Sequence, residues 1–310
     1  MKLRRKDLLD LESLSAQEIE LILETARPFK KLFTQSIKRV PTLRGKTVAL
    51  LFYEPSTRTR VSFELAAKRL SADTIDLPVG TSSVQKGESL IDTGKTLEAM
   101  KVDFIVVRHP ESGAAEVLAK SLGVHIVNAG DGTHEHPTQG LLDLFTLKEK
   151  KGNIKGLNVL ILGDIAHSRV ARSNLWGLTK LGAKIILCGP EALIPEQLPK
   201  MFGKSVRIEQ NLEKAVRQAD SINVLRIQKE RMMDGLIPSL PAYTEQYGLD
   251  AKVLRLAKKG CLVLHPGPMN RGIEITSEVA DGSRSVILEQ VTNGIAVRMA
   301  ILYLLAGSKA

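Results

Sequence analysis

The sequence predicts an α/β protein of two domains, each a parallel-type sheet flanked by helices. Three observations predict it. Short apolar, β-branched runs alternate with segments of helical period through both halves of the chain. A polar, glycine-punctuated stretch, Lys148 to Gly156, interrupts that rhythm and reads as a boundary between residues 1–150 and 151–285. The length, 310 residues, fits two domains at about 150 residues each.

Composition narrows the function classes. With 43% hydrophobic and 25% charged residues the chain can build sizeable cores and stay soluble. A net charge of +10 admits nucleic acid, a membrane surface or small acidic substrates as partners. The basic residues are scattered beyond Lys2, Arg4, Arg5 and Lys6, and aromatics make up only 4%, too few for a base-stacking platform. The charge is therefore read as solubility plus an anion-attracting site, with no nucleic acid and no membrane partner. Cys188 and Cys261 lie in apolar runs without metal-ligand spacing, which predicts buried free thiols. No secretory signal or long apolar run is present, so a cytoplasmic location is expected.

The first half opens with a capping box, Ser15 and Glu18, and a helical stripe of Ile19, Ile22, Leu23 and Ala26 up to Pro28. Residues 30–46 read as a loop. Thr47 to Tyr53 reads as a buried strand, and Glu54-Pro55-Ser56-Thr57-Arg58-Thr59-Arg60 turns from it into a helix. A helix start has unpaired amides and the positive end of the dipole, and Ser56, Thr57 and Thr59 add hydroxyls there. Arg58 or Arg60 can fork onto two oxygens of one anion. The alternative is an ordinary Ser-capped helix with solvated arginines. Walker glycines are absent, so this is not a P-loop. Strand Thr74–Leu77, a polar loop Thr81–Glu88, a helix Ser89–Ala99 and strand Val102–Val107 follow. Arg108 ends that strand, at the carboxyl edge where ligands of open α/β sheets sit, while His109 reads as structural. Helix Ala114–Leu122 and strand Val124–Val127 lead to His134-Glu135-His136-Pro137-Thr138-Gln139, which opens another helix. Its two histidines lack the spacing of helical zinc ligands, so no metal is predicted.

In the second half, strand Val159–Leu162 runs into Gly163-Asp164 and a helix opened by Arg169. The dinucleotide fingerprint is incomplete at Ile165 and Ser168, so no NAD site is predicted. Arg169 stands where a carboxylate binder would, or alternatively on a solvated face. Strands are expected at Ala183–Leu187, Ser205–Ile208, Ser221–Leu225 and Cys261–Leu264, with helices at Leu212–Ala219, Ala251–Ala257 and Val286–Leu305. Residues 232–250 read as loop-rich because of Pro238 and Pro241. The last strand ends in the proline turn His265-Pro266-Gly267-Pro268.

Phe52 to Arg60, His136-Pro137-Thr138-Gln139, Gly163-Asp164 with Arg169-Val170-Ala171-Arg172-Ser173, and the proline turn, in this order, resemble the aspartate/ornithine carbamoyltransferase family over essentially the whole chain. The Glu-Pro before Ser56 and the absence of a cysteine from the proline turn resemble its aspartate branch. The resemblance implies Rossmann-like domains, with the C-terminal helix, about 286–310, packing back on the first. It implies transfer of the carbamoyl group from carbamoyl phosphate to the amine of L-aspartate, a step of pyrimidine synthesis, with no cofactor. Transfer to ornithine or another amino acid is the alternative. Carbamoyl phosphate would meet Ser56, Thr57, Arg58, Thr59, Ser82, Arg108, His136 and Gln139 and the turn Pro266, Gly267 and Pro268. L-Aspartate would meet Lys86, Arg169, Arg226 and Gln228, the last two pointing to one side of an extended segment. Arg58, Thr59, Lys86, Arg108 and His136 would carry the chemistry. Ser82 and Lys86 match a loop that in this family reaches into a neighbouring subunit, which implies a homotrimer with shared sites. Some family members assemble further with regulatory chains or a dihydroorotase.

Overall fold

The computed structural model describes residues 3–78, 87–227 and 239–308. Ser82, Lys86 and Gln228, with Lys229, Glu230 and Arg231, lie outside them. The chain divides into two compact units, Met1–Leu142 with Thr292–Ala310, and Asp143–Val291. The last helix therefore contributes its C-terminal part to the first unit.

In unit 1 the elements are α1 (Ala16–Lys31), β1 (Thr47–Phe52), α2 (Thr57–Arg69), β2 (Asp73–Pro78), α3 (Leu90–Ala99), β3 (Phe104–His109), α4 (Ala114–Ser121), β4 (His125–Asp131) and the start of α5 (Pro137–Lys151). The strands form one sheet in the order β2-β1-β3-β4, parallel throughout. Strand β1 is largely apolar, and both β1 and β4 are almost wholly buried, as sheets covered on both faces require. One core cluster packs Ala49 and Leu51 of β1 and Ile105 and Val107 of β3 against Leu97, Ala115 and Leu118 of the covering helices. Each fully buried Leu of this kind contributes about 1.5–3 kcal/mol.

Unit 2 continues α5 and adds β5 (Asn158–Leu162), α6 (Arg169–Lys180), β6 (Lys184–Cys188), α7 (Gln197–Phe202), β7 (Val206–Ile208), α8 (Leu212–Gln218), β8 (Ser221–Val224), α9 (Leu240–Tyr247), α10 (Ala251–Leu254), β9 (Leu262–Leu264), α11 (Ser277–Ala280) and the start of α12 (Ile287–Ala306). Its sheet runs β7-β6-β5-β8-β9, again parallel. Cys188 and Cys261 are buried free thiols in its core. Burial pushes the Cys188 thiol up to about 12 and that of Cys261 up to about 11. Both are inert at neutral pH.

Three expectations are corrected. Helix α1 does not stop at Pro28 but runs to Lys31, because Phe29 extends its buried stripe of Ile19, Ile22, Leu23 and Ala26. Over its described part, 239–250, the loop-rich reading of 232–250 gives way to α9, while 232–238 lie outside the described residues: Ser239 caps α9 by accepting from Ala242 N–H, and Pro241 lies in its first turn, where a missing N–H costs nothing. The short helices α7 and α11 had no periodic signal, having six and four residues.

The capping box of α1 is present, with Ser15 and Glu18 exchanging side-chain and backbone bonds. Arg5 Nε also donates to Glu18 at 2.6 Å. That hydrogen bond, with Ser15's, outweighs partial burial and lowers the Glu18 carboxyl from 4.5 to about 2. A depressed folded value stabilises above the unfolded one and is lost as pH falls through the folded one. Glu18→Gln should therefore cost about 1 kcal/mol at neutral pH. Denaturant unfolding should show the gap between parent and variant closing as pH falls from about 5 towards 2; a gap independent of pH would exclude the ionised cap.

Candidate active site

A parallel sheet turns every strand's carboxyl end to one edge, and ligands of such sheets sit where the strand order reverses. In unit 1 that reversal lies between neighbours β1 and β3. Ser56, Thr57, Arg58 and Thr59 follow β1, Arg108 lies near the end of β3, and His136 and Gln139 follow β4. The three strands are adjacent, so the structure brings these residues to one edge of one sheet.

The start of α2 is not an ordinary cap. Ser56 occupies the cap position, but its hydroxyl makes no capping bond. Thr57 and Arg58 are exposed and Thr59 is buried. Arg60, offered by the sequence as an alternative fork, is committed elsewhere: its Nη1 lies 3.0 Å from Asp76 on β2. We propose that the forked anion contact falls to Arg58. Arg108 is largely buried, with Nε 3.2 Å from Glu54 and Nη1 donating to Ala129 O at 3.2 Å. Glu54 thus orients Arg108. The sequence reading used Glu54 only as a branch marker; a carboxylate one residue beyond a buried strand and beside an arginine motif was the available signal. His109 packs against Tyr53 with the rings tilted by 57° and their centres 4.7 Å apart, and it accepts Glu111 N–H, a structural role.

After β4, Asp131 and Glu135 pair in an antiparallel bridge. His136, buried, then presents its carbonyl to Gln139 and Gly140 N–H at the start of α5. Arg298 of α12 ties this helix to α2, reaching Thr138 at 3.4 Å and Ser62 at 3.0 Å. Among the described residues, Glu12, His134 and Glu135 approach closely enough to suggest a metal. Their donors fit a clasp better: Glu135 accepts Leu11 and Glu12 N–H at 2.9 and 3.1 Å, and His134 Nδ1 faces Asp131. The Asp131 hydrogen bond raises the His134 imidazole above its ordinary value.

In unit 2 the order reverses between β5 and β8. Arg169 follows β5, Arg226 follows β8, and Pro266, Gly267 and Pro268 follow β9, again three adjacent strands. Gly163 makes the β5 exit possible: its φ is +119°, and a Cβ there would sit 3.1 Å from Leu225 O. Ser168 caps α6 by accepting Ala171 N–H. Arg169 is buried in the first helical position. A cation there opposes the helix dipole, so guanidinium and helix amides alike favour an anion. The proline turn is held by His265, whose Nδ1 accepts Gly267 N–H at 2.8 Å. The ring proton then lies on Nε2, facing Glu274 at 3.3 Å, and Glu274 also accepts Asn270 N–H at 2.5 Å. His265 and Glu274 were not singled out from the sequence.

A model of the carbamoyl-phosphate-binding domain of aspartate/ornithine carbamoyltransferases matches residues 6–149, and one of the Asp/Orn-binding domain matches 155–305. The chain belongs to the aspartate/ornithine carbamoyltransferase family. The aspartate carbamoyltransferase catalytic subunit of Moorella thermoacetica is 60% identical over 307 residues, 99% of each chain. That of Endomicrobium trichonymphae is 58% identical, covering 98% of this chain and 97% of its own. Among solved carbamoyltransferases, the aspartate transcarbamoylase of Trypanosoma cruzi with carbamoyl phosphate and aspartate has a TM-score of 0.89 at 29% identity, covering 97% and 95% of the two chains. The ornithine carbamoyltransferase of Pyrococcus furiosus has 0.88 at 33%, covering both chains fully.

Arg58 and Arg60 can be separated in solution. Losing a forked guanidinium costs about 2–3 kcal/mol, roughly 100-fold in affinity. Arg58→Ala should weaken inorganic phosphate binding by that factor in calorimetry, and Arg60→Ala by under about threefold, as an exposed pair would. Equal losses would contradict the division of labour.

Proposed function

We propose that this chain transfers the carbamoyl group of carbamoyl phosphate to the amine of L-aspartate, giving N-carbamoyl-L-aspartate and phosphate for pyrimidine synthesis. The observation that carries the reading is the gathering of candidate anion and carbamoyl contacts, arginines foremost, at three adjacent strand ends in each of two parallel sheets. Full-length relatives at 58–60% identity, named aspartate carbamoyltransferase catalytic subunits, support aspartate over ornithine. The likeness of fold does not discriminate, since it includes an ornithine enzyme.

The reaction is direct acyl transfer. Unit 1 is the carbamoyl phosphate domain and unit 2 the aspartate domain. Ser56, Thr57 and Arg58 hold the phosphate. Thr59, Arg108 and His136 donate to the carbonyl oxygen as it becomes an oxyanion; one such donor is worth roughly 3–4 kcal/mol. Gln139 and the carbonyls of Pro266 and Gly267 accept from the carbamoyl NH2. Arg169 and Arg226 bind the two carboxylates of aspartate. The amine attacks the carbonyl carbon, the C–N bond forms, the bond to phosphate oxygen breaks, and the departing phosphate takes the amine proton. Orientation of the amine is worth about 7–11 kcal/mol. Ser82, Lys86 and Gln228, outside the described residues, complete the two sets, Ser82 and Lys86 from a neighbouring subunit of a homotrimer in the cytoplasm. Among the described residues no helix is long and apolar enough to cross a membrane.

Carbamoyl phosphate offered with a panel of amino acids should yield product with L-aspartate and, at comparable concentration, none with ornithine. Product from ornithine alone would overturn the assignment. If sites are shared, mixing inactive Arg58→Ala chains with inactive Lys86→Ala chains should restore part of the activity. Mixed oligomers that stay inactive would confine each site to one chain.

A further inference from the structure

Asp143 of α5 is 1% exposed. Its Oδ2 accepts from Asn174 Nδ2 at 2.8 Å and Asn223 Nδ2 at 3.2 Å, and its Oδ1 from Gln290 Nε2 at 2.7 Å. A carboxylate only accepts, so it dictates which face each amide turns inward. Gln290 must then present Oε1 outward, and that oxygen accepts His265 N–H at 3.0 Å, immediately before the proline turn.

Each donor sits on an element that carries a candidate substrate contact. Asn174 lies on α6, which Arg169 opens. Asn223 lies on β8, and Arg226 follows its end. Gln290 lies on α12 and grips the backbone ahead of Pro266 and Gly267. The arrangement has a cost: the Oδ1 atoms of Asn174 and Asn223 are buried without a hydrogen bond. A network serving stability alone would avoid such orphans. Here both amides face Asp143, which fixes α6 and β8 at the price of two idle acceptors.

We infer that Asp143 is a positioning residue for the second substrate: through Asn174, Asn223 and the Gln290–His265 link it sets the register of the elements bearing Arg169, Arg226 and the proline turn. The inference rests on the reading of Arg169 and Arg226 as aspartate binders. The proposed phosphate contacts, Ser56 to Arg58, belong to the other unit and are not among the network's hydrogen-bond partners.

Asp143→Asn replaces one of the two acceptor oxygens by an NH2, set against either Gln290 Nε2 or the Nδ2 groups of Asn174 and Asn223. In the full-length enzyme it should raise KM for L-aspartate on the order of 10–100-fold. Inorganic phosphate affinity should stay within about threefold, because none of Asp143, Asn174, Asn223 and Gln290 is a proposed phosphate contact. Adding Asn174→Asp exchanges donor and acceptor within the pair and should recover much of the loss. Should Asp143→Asn fail to fold, Asn223→Ala removes a single donor and should raise the same KM by roughly 3–10-fold with phosphate binding unchanged. An unaltered KM for aspartate in a folded variant, or equal loss of phosphate binding, would overturn the inference. Absence of carbamoyl transfer to aspartate by the parent enzyme would instead overturn the functional reading on which it rests.

Discussion

The parallel hydrogen-bonding of both sheets is the constraint from which the candidate site follows. Because the strands of each sheet run one way, every loop leaving a carboxyl end emerges at the same edge, and the helix after it starts there. Helix starts carry unpaired amides and partial positive charge. Each unit therefore offers an anion-attracting rim before any arginine is added. The sequence places candidate groups at these ends: hydroxyls and Arg58 after β1, Arg108 near the end of β3 and His136 and Gln139 after β4 in one sheet, Arg169 after β5, Arg226 after β8 and the proline turn after β9 in the other.

Arginines gathered at such a rim would repel one another and the helix starts unless each is held. The chain restrains them with specific acceptors. Arg60 is drawn off to Asp76, and Arg108 is gripped by Glu54 and the carbonyl of Ala129. The exposed Arg60 pair contributes little stability. The Arg108 contacts, largely buried, fix a direction. Donors aimed in advance need no reorganisation when charge develops, which is where an acyl-transfer enzyme gains most. Arg298 performs a related task, bridging Ser62 and Thr138 so that α2 and α5 cannot drift independently.

How far the sequence reveals this depends on the range of the interaction. Strands such as Thr47–Phe52 and Asn158–Leu162 were legible because burial on both faces leaves a continuous apolar run. The capping box of α1 was legible because its partners are three residues apart. Helix α9 was not, since Pro241 signals a break unless its place in a first turn is known. The motifs at the strand ends were readable as local strings. The acceptors that steer them were not: Glu54 meets Arg108, Glu274 meets His265, and Asp143 meets Gln290 across 147 positions. Such pairings are products of topology, and no local period encodes them.

The choice between an acidic and a basic second substrate also turns on electrostatics. Solved carbamoyltransferases of both kinds share this fold at similar TM-scores, 0.89 and 0.88, so the backbone is indifferent to the choice. On the proposed assignment, an ornithine side chain, a cation, would have to enter beside Arg169, buried at a helix start, and Arg226 just beyond β8. Bringing like charges together in a partly desolvated site costs several kcal/mol, more than a binding site of ordinary affinity can spare. A dicarboxylate meets the same groups with opposite charge and is further drawn by the helix dipole. On the proposed assignment of Arg169 and Arg226 to the second substrate, the two guanidiniums select by exclusion as much as by attraction, from elements whose register we infer Asp143 to set.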